Sequence, residues 1–241
     1  MLEFFGHWDA AAATFFSHLN GQSLIADRMF GSMFSLNTFK VAPFVIILAA
    51  LWMAHPEDKA VHRGVLAAAF GGTLSMFLTH LVQHLAPGRL RPWQSGYPFL
   101  KHLVDSGLGD HSSFPSDTAG LVCALALGIL AASLRWGALA FVWVAVVDVG
   151  GKLFSGDHYP SDIIAGALIG LAATSFFLWS ERLIASSDAF ASKVQTRHPL
   201  LFFMVIFFVM MQLSTLFDDL RSTGNALLSR HKFEQAVSRP H

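Results

Sequence analysis

An all-α integral membrane bundle of about six transmembrane helices is the fold class this sequence predicts, and three observations predict it. Of the 241 residues, 54% are hydrophobic and only 13% carry a formal charge, against about 25% charged in soluble chains. The mean hydropathy is +0.51. Apolar stretches close to a bilayer-spanning length recur along the chain, separated by short polar connections. Formal net charge is zero, which leaves no basic patch to suggest a nucleic-acid partner. The single Cys123 lies inside an apolar run, so neither a disulfide nor a cysteine metal cluster is expected. Nothing in the pattern calls for a metal or another cofactor.

The opening residues carry Glu3 and Asp9 where a cleaved signal wants bases, so the first span is expected to serve as the insertion signal. Residues 1–37 mix aromatics with His18, Asn20, Gln22, Asp27 and Arg28. They read as one or two amphipathic helices lying along the interface. A transmembrane domain is expected over 38–217, with spans from Phe39 to Ala54, Val65 to Leu85, Thr118 to Leu134, Trp136 to Phe154, Ile163 to Trp179, and Pro199 to Leu216. Residues 218–241 form a polar tail. Gly166 and Gly170 make a GxxxG on the fifth span, a pattern for close helix packing.

Connection lengths are uneven. Spans three and four are joined by little more than Arg135, whereas the loop from Ala86 to Pro115 is long and rich in Pro, Gly, Arg and His. Long loops between tightly joined elements tend to carry function. Counting spans puts this loop, the Asp157–His158 turn, the N-terminal segment and the tail on one side of the membrane. Lys and Arg, Lys40 among them, divide evenly between the sides once the candidate site residues are set aside, so the positive-inside rule leaves the orientation open.

On that shared face the ionisable residues form a pattern. His158 and Asp162 are four apart, with Pro160 suited to the first turn of the following helix. The Asp162 carboxylate is thereby expected to orient the imidazole and leave its other nitrogen as a nucleophile or base. The bland alternative is a helix cap beside an interfacial histidine. Arg91 offers a planar fork of donors suited to phosphate oxygens, or is a snorkelling anchor. Ser116 opens a helix whose unpaired N–H groups favour an anion, or is a plain cap. Together these residues read as a phosphate pocket with a nucleophile.

Three segments, His84-x6-Arg91-Pro92, Pro115-Ser116-Asp117-Thr118 and Gly151-Lys152-x5-His158-x3-Asp162, resemble the motifs of the type 2 phosphatidic acid phosphatase (PAP2) superfamily, K-x6-RP, PSGH and SR-x5-H-x3-D. The phrases SSFPSD and HYPSD are similar to those of bacterial undecaprenyl-diphosphate phosphatases. The resemblance implies His158 as the nucleophile, Asp162 as its orienting carboxylate, and Arg91, Ser116 and Lys152 as phosphate ligands. Lys152 replaces an Arg and lies four residues after Asp148, so a structural ion pair is its alternative. His84 stands where the family has Lys, and Arg89 is expected to supply the missing charge. Thr118 stands where the family has the histidine that protonates the leaving group, and a hydroxyl cannot do this near neutral pH. Asp117 and His111 are the expected substitutes.

The implied function is hydrolysis of a lipid-linked diphosphate, undecaprenyl-diphosphate-like, through a phosphohistidine in the bacterial plasma membrane with the site facing outward. A lipid phosphotransferase and a non-catalytic lipid-phosphate binder are the alternatives. The expected partners are the lipid phosphate and the surrounding membrane lipid. Oligomeric state is not written in the sequence.

Overall fold

In the computed structural model, residues 2–30, 36–99 and 112–214 are described. Among them there is no strand. Helix α1 covers Leu2–Leu19 and α2 Leu24–Arg28. Helix α3 covers Asn37–Ala54, α4 Lys59–Leu85 and α5 Asp117–Ala132. Leu134–Trp143 forms α6, which continues through a π-helical turn, Val144–Val149, into α7, Gly150–Ser155. Pro160–Trp179 is α8, Glu181–Arg197 is α9 and Pro199–Ser214 is α10.

The chain is a membrane protein. Three helical stretches, Lys59–Leu85, Leu134–Ser155 and Pro160–Trp179, are long and apolar enough to cross a bilayer, and Phe39–Ala54 and Asp117–Ala132 are shorter apolar helices. Their outward faces expose large apolar side chains, among them Ile46, Phe77, Val142, Leu168 and Phe176, as lipid-facing surfaces do. The expected spans match the helices to within a few residues, except that α4 begins six residues before Val65. The tail at 218–241 lies outside the described residues.

Helix α5 is the centre of the bundle, with buried residues along most of its length. Helices α4 and α8 pack on it. Lipid tails are as apolar as these side chains, so association relies on close contact between small residues rather than on escape from water. Accordingly, a Cβ added at Gly166 would collide with the Ser116 carbonyl, and one at Gly170 with the carbonyl of Gly120. The GxxxG of α8 therefore presses its N-terminal half onto the start of α5.

Helix α9 has no counterpart among the expected spans, because its composition is too polar for a span and its partners are remote in sequence. His62 of α4 meets Asp188 at 2.7 Å, and Trp52 of α3 donates to Gln195 at 3.1 Å. These contacts tie α9 to the bundle at the end away from the candidate site.

Candidate active site

Four chain ends converge at one end of the bundle: the C-terminus of α4, the N-termini of α5 and α8, and the turn after α7. Each has a local cause. Ser116 caps α5, its Oγ accepting from Ala119 N at 3.4 Å. Gly156 takes φ +72°, a left-handed conformation that glycine adopts without penalty. That turn ends α7 and reverses the chain into Asp157 and His158. Pro160 then starts α8, where its missing N–H costs nothing. The N–H of Ser116 donates to the Asp162 carbonyl at 3.0 Å, which locks the two helix starts together.

His158 lies at the centre, its side chain 7% exposed. Its Nδ1 is 2.8 Å from the carbonyl oxygen of Ser113. A carbonyl only accepts, so Nδ1 carries the proton and Nε2 presents a lone pair. Nε2 in turn lies 3.4 Å from a terminal nitrogen of Arg91. Burial, with the charges of Arg91 and Lys152 added, outweighs the Asp162 carboxylate and holds the imidazole below the usual histidine range. A neutral, nucleophilic nitrogen beside a fixed cation is the result.

Asp162 is fully buried. Its Oδ2 accepts from Tyr159 N at 2.9 Å and lies 3.9 Å from His158 Nδ1, within electrostatic but beyond hydrogen-bond reach. The expected tautomer lock therefore comes from the Ser113 carbonyl, with Asp162 as a nearby negative charge. The other oxygen of Asp162 receives Arg89 at 2.5 Å.

Arg89 is thoroughly engaged. It also donates to Asp9 of α1 at 2.6 Å and to Ser161 at 2.8 Å, and it lies over the Tyr159 ring at 4.2 Å. Burial alone would pull its ionisation down, but the hydrogen bonds and charges of Asp9 and Asp162 raise it. Arg89 thus holds carboxylates, where the sequence pointed to phosphate. Asp9 completes the arrangement by accepting from the N–H and hydroxyl of Ser161 at 3.1 and 2.5 Å.

The phosphate candidates divide in the same way. Arg91 is buried, donates to the Asp157 carbonyl at 3.0 Å, and has no hydrogen-bond partner for its Nε among the described residues. It keeps donors available. Lys152 is 2% exposed and is held by Asp148 at 2.6 and 2.7 Å; the ion pair forms, although its charge still reaches His158. The Asp148 end of this pair lies in the π-helical turn. His84 is exposed and its Nδ1 is bonded to the His80 carbonyl at 2.8 Å. Asp117 accepts from Thr118 N at 2.7 Å. His111 lies outside the described residues.

Sequence reasoning missed Asp9 and the Ser113 carbonyl as parts of this site. It counted Lys40 only as a charge, yet Lys40 of α3 is buried within Coulombic reach of Lys152, Asp148, Asp157 and Asp117. The sole available signal was polarity inside an apolar element, as for Asp9 and Lys40.

Comparison with known proteins supplies an independent line. The family model for the PAP2 superfamily matches residues 63–185. The chain is 29% identical over 133 residues to "Putative undecaprenyl-diphosphatase YbjG" of Escherichia coli (strain K12), covering 54% of this chain and 62% of that protein. It is 35% identical over 86 residues to a lipid A 4'-phosphatase of Bacteroides thetaiotaomicron, 34% of this chain and 38% of that one. It is also 32% identical over 81 residues to the bacitracin transport permease protein BcrC of Bacillus licheniformis, 34% and 36% respectively. The chain therefore matches less than two thirds of the length of each. No solved structure matches it.

Proposed function

Because the chain belongs to the PAP2 superfamily, we propose that it is a membrane-embedded lipid phosphatase acting on a lipid-linked diphosphate through a phosphohistidine. The observation that carries this reading is the environment of His158: Nδ1 is tied to a carbonyl and Nε2 is set against Arg91. Nε2 attacks the terminal phosphorus while Arg91 neutralises the oxygens on which charge gathers. Asp162 stabilises the imidazolium character that develops on phosphorylation, and Arg89 with Asp9 keeps that carboxylate in place. Water then attacks the phosphohistidine and releases inorganic phosphate. Among the relatives, the names undecaprenyl-diphosphatase and lipid A 4'-phosphatase support a lipid substrate.

The test is to incubate the purified protein in detergent with a polyprenyl diphosphate and measure phosphate release, with an alkaline quench to trap the adduct. Release together with a base-stable, acid-labile phosphoprotein is expected; release with no such adduct would remove the covalent mechanism.

The functional unit in this reading is the transmembrane domain at 38–217 together with the N-terminal segment at 1–37, which contributes Asp9. Its site faces outward from a bacterial plasma membrane. In a Cys123→Ser background, cysteine at Gly88, where an added Cβ meets open space, should label from outside, and one at the exposed Ser186 only after the inner face is opened. The reverse pattern would invert the orientation.

A further inference from the structure

At the end of the bundle away from His158, the start of α4 and the ends of α5 and α8 enclose a cavity of about 600 Å³, lined by Lys59, Arg63, Ala131, Leu178 and Trp179. Gly64 also lines it, at a point where α4 and α5 touch so closely that an added Cβ would lie 2.7 Å from Ala132 and from the Gly128 carbonyl. The cavity sits where the apolar helices end. Helix α4 begins at Lys59 behind the Asp58 cap, α8 ends at Trp179, and the polar α9 follows. Trp179 is 84% exposed, and indoles in such positions gather at the level of the lipid headgroups.

Two cations one helical turn apart on α4 line this cavity, and no carboxylate does among the described residues. Lys59 is exposed and its side chain has no partner among those residues. Arg63 spends Nη2 on the Leu178 carbonyl. Its Nη1 reaches Glu181 only at 3.5 Å, beyond the usual hydrogen-bond range, and the Glu181 side chain is 78% exposed, so solvent screens the contact. The Nε of Arg63 has no partner among the described residues. The neighbouring Asp58 turns its carboxylate to the N–H groups of Ala60 and Val61. The lining is therefore positive and its guanidinium has donors to spare.

We propose that this cavity holds the phosphate of an anionic phospholipid from the leaflet opposite the candidate active site. The phosphate oxygens accept from Lys59 Nζ and Arg63 Nη1, displacing only the weak Glu181 contact. Ala131, Leu178 and Trp179 then give an apolar wall to the start of the acyl chains. Free phosphate would satisfy the cations and leave that wall uncovered, whereas a zwitterionic headgroup would bring an ammonium against two cations. The lipid is bound and not turned over, because His158 lies at the other end of the bundle. The site is independent of the phosphatase reading.

The test follows thermal unfolding of the full chain in detergent while dioleoyl phosphatidylglycerol, dioleoyl phosphatidylcholine or inorganic phosphate is titrated in, since a ligand that binds the folded state raises Tm. Phosphatidylglycerol should raise the Tm of the parent chain with a saturating dependence, and the other two should not at the same concentrations. Lys59→Gln combined with Arg63→Gln should raise the half-saturating concentration about 30-fold, from about five-fold for each basic residue at a membrane surface. Two milder variants keep the test open if that one does not fold. Lys59→Gln alone changes an exposed side chain and should weaken binding about five-fold, whereas Glu181→Gln releases Arg63 Nη1 and should tighten it. No saturable response in the parent chain, an equal response to phosphatidylcholine, or a response to inorganic phosphate that matches the lipid would overturn the proposal. So would a phosphatidylglycerol response that Lys59→Gln and Glu181→Gln both leave unchanged.

Discussion

Two histidine–aspartate pairs, each with its histidine buried, stand at opposite ends of the bundle, and the one with the better hydrogen bond is not the candidate site. His62 Nδ1 donates to Asp188 at 2.7 Å, and its ring stacks on Trp52 with centroids 3.8 Å apart and planes within 9°. Its Nε2 is buried with no partner among the described residues. His158 keeps its carboxylate at 3.9 Å, donates its Nδ1–H to the Ser113 carbonyl and turns Nε2 toward Arg91. A histidine–aspartate couple is thus not catalytic in itself. The surroundings of the second nitrogen decide: at His62 it meets a closed wall, at His158 a cation with donors to spare.

The largest expected effect exploits this contrast. His158→Ala should abolish the phosphoprotein and lower phosphate release by at least about 10⁴-fold, as loss of a nucleophile does elsewhere. Turnover near the parent rate would remove His158 from the mechanism. Next comes Arg91, which gives Nε2 its cation. Arg91→Ala should cost about 10²- to 10³-fold in kcat, the range for removing one preorganised donor to a developing charge. Arg91→Lys should recover only part of it, because a point charge lacks the planar fork. Full recovery in the lysine variant would mean that charge alone matters there.

How far the site is legible in the sequence follows from which contacts are local. His158 and Asp162 share one turn of chain, and the GxxxG of α8 shares one face, so spacing alone exposes them. Arg91, Ser116 and Lys152 are visible as motif residues. Asp9 is not, because its partners Arg89 and Ser161 are 80 and 152 residues away and only helix packing joins them. Residues 63–185, which match the family, also leave Asp9 out. The Ser113 carbonyl is invisible for another reason: a backbone acceptor carries no residue identity. The same separation explains Arg89, whose free charge in the sequence becomes a clamp between two carboxylates once α1 and α8 come together.

That clamp yields a smaller, more discriminating effect. Asp9→Asn should lower kcat by about 10-fold with KM little changed, since Asp9 meets Asp162 through Arg89 and acts on the position of that carboxylate. A rise in KM alone would place Asp9 in substrate binding instead. The pH dependence checks the other end of the relay. Burial holds His158 below its ordinary value of 6.5, and the nucleophile must be neutral, so kcat/KM should rise with pH through a midpoint below that value. Asp162 opposes this lowering. Asp162→Asn should therefore move the midpoint further down, and comparison on one substrate cancels the ionisation of the substrate itself. An upward shift would show that the carboxylate does not act on the imidazole.

The smallest effect on catalysis belongs to the opposite pair. His62→Phe keeps an aromatic ring to stack on Trp52 but leaves Asp188 without its buried donor. Turnover should stay near the parent value, because nothing at that end of α4 reaches the candidate site. Stability should fall by about 1–3 kcal/mol, the usual cost of orphaning a buried polar group. The second substitution decides what the pair is for. Replacing both partners by apolar groups is often neutral or stabilising, since it removes the desolvation cost along with the bond. His62→Phe with Asp188→Leu should then recover most of the lost thermal stability in detergent while turnover remains unchanged. If the double variant unfolds as readily as the single one, the pair specifies how α9 docks on α4. If either variant loses turnover while staying folded, the two ends of the bundle are coupled, and the contrast between a closed pair and an open one is not enough to separate structure from catalysis.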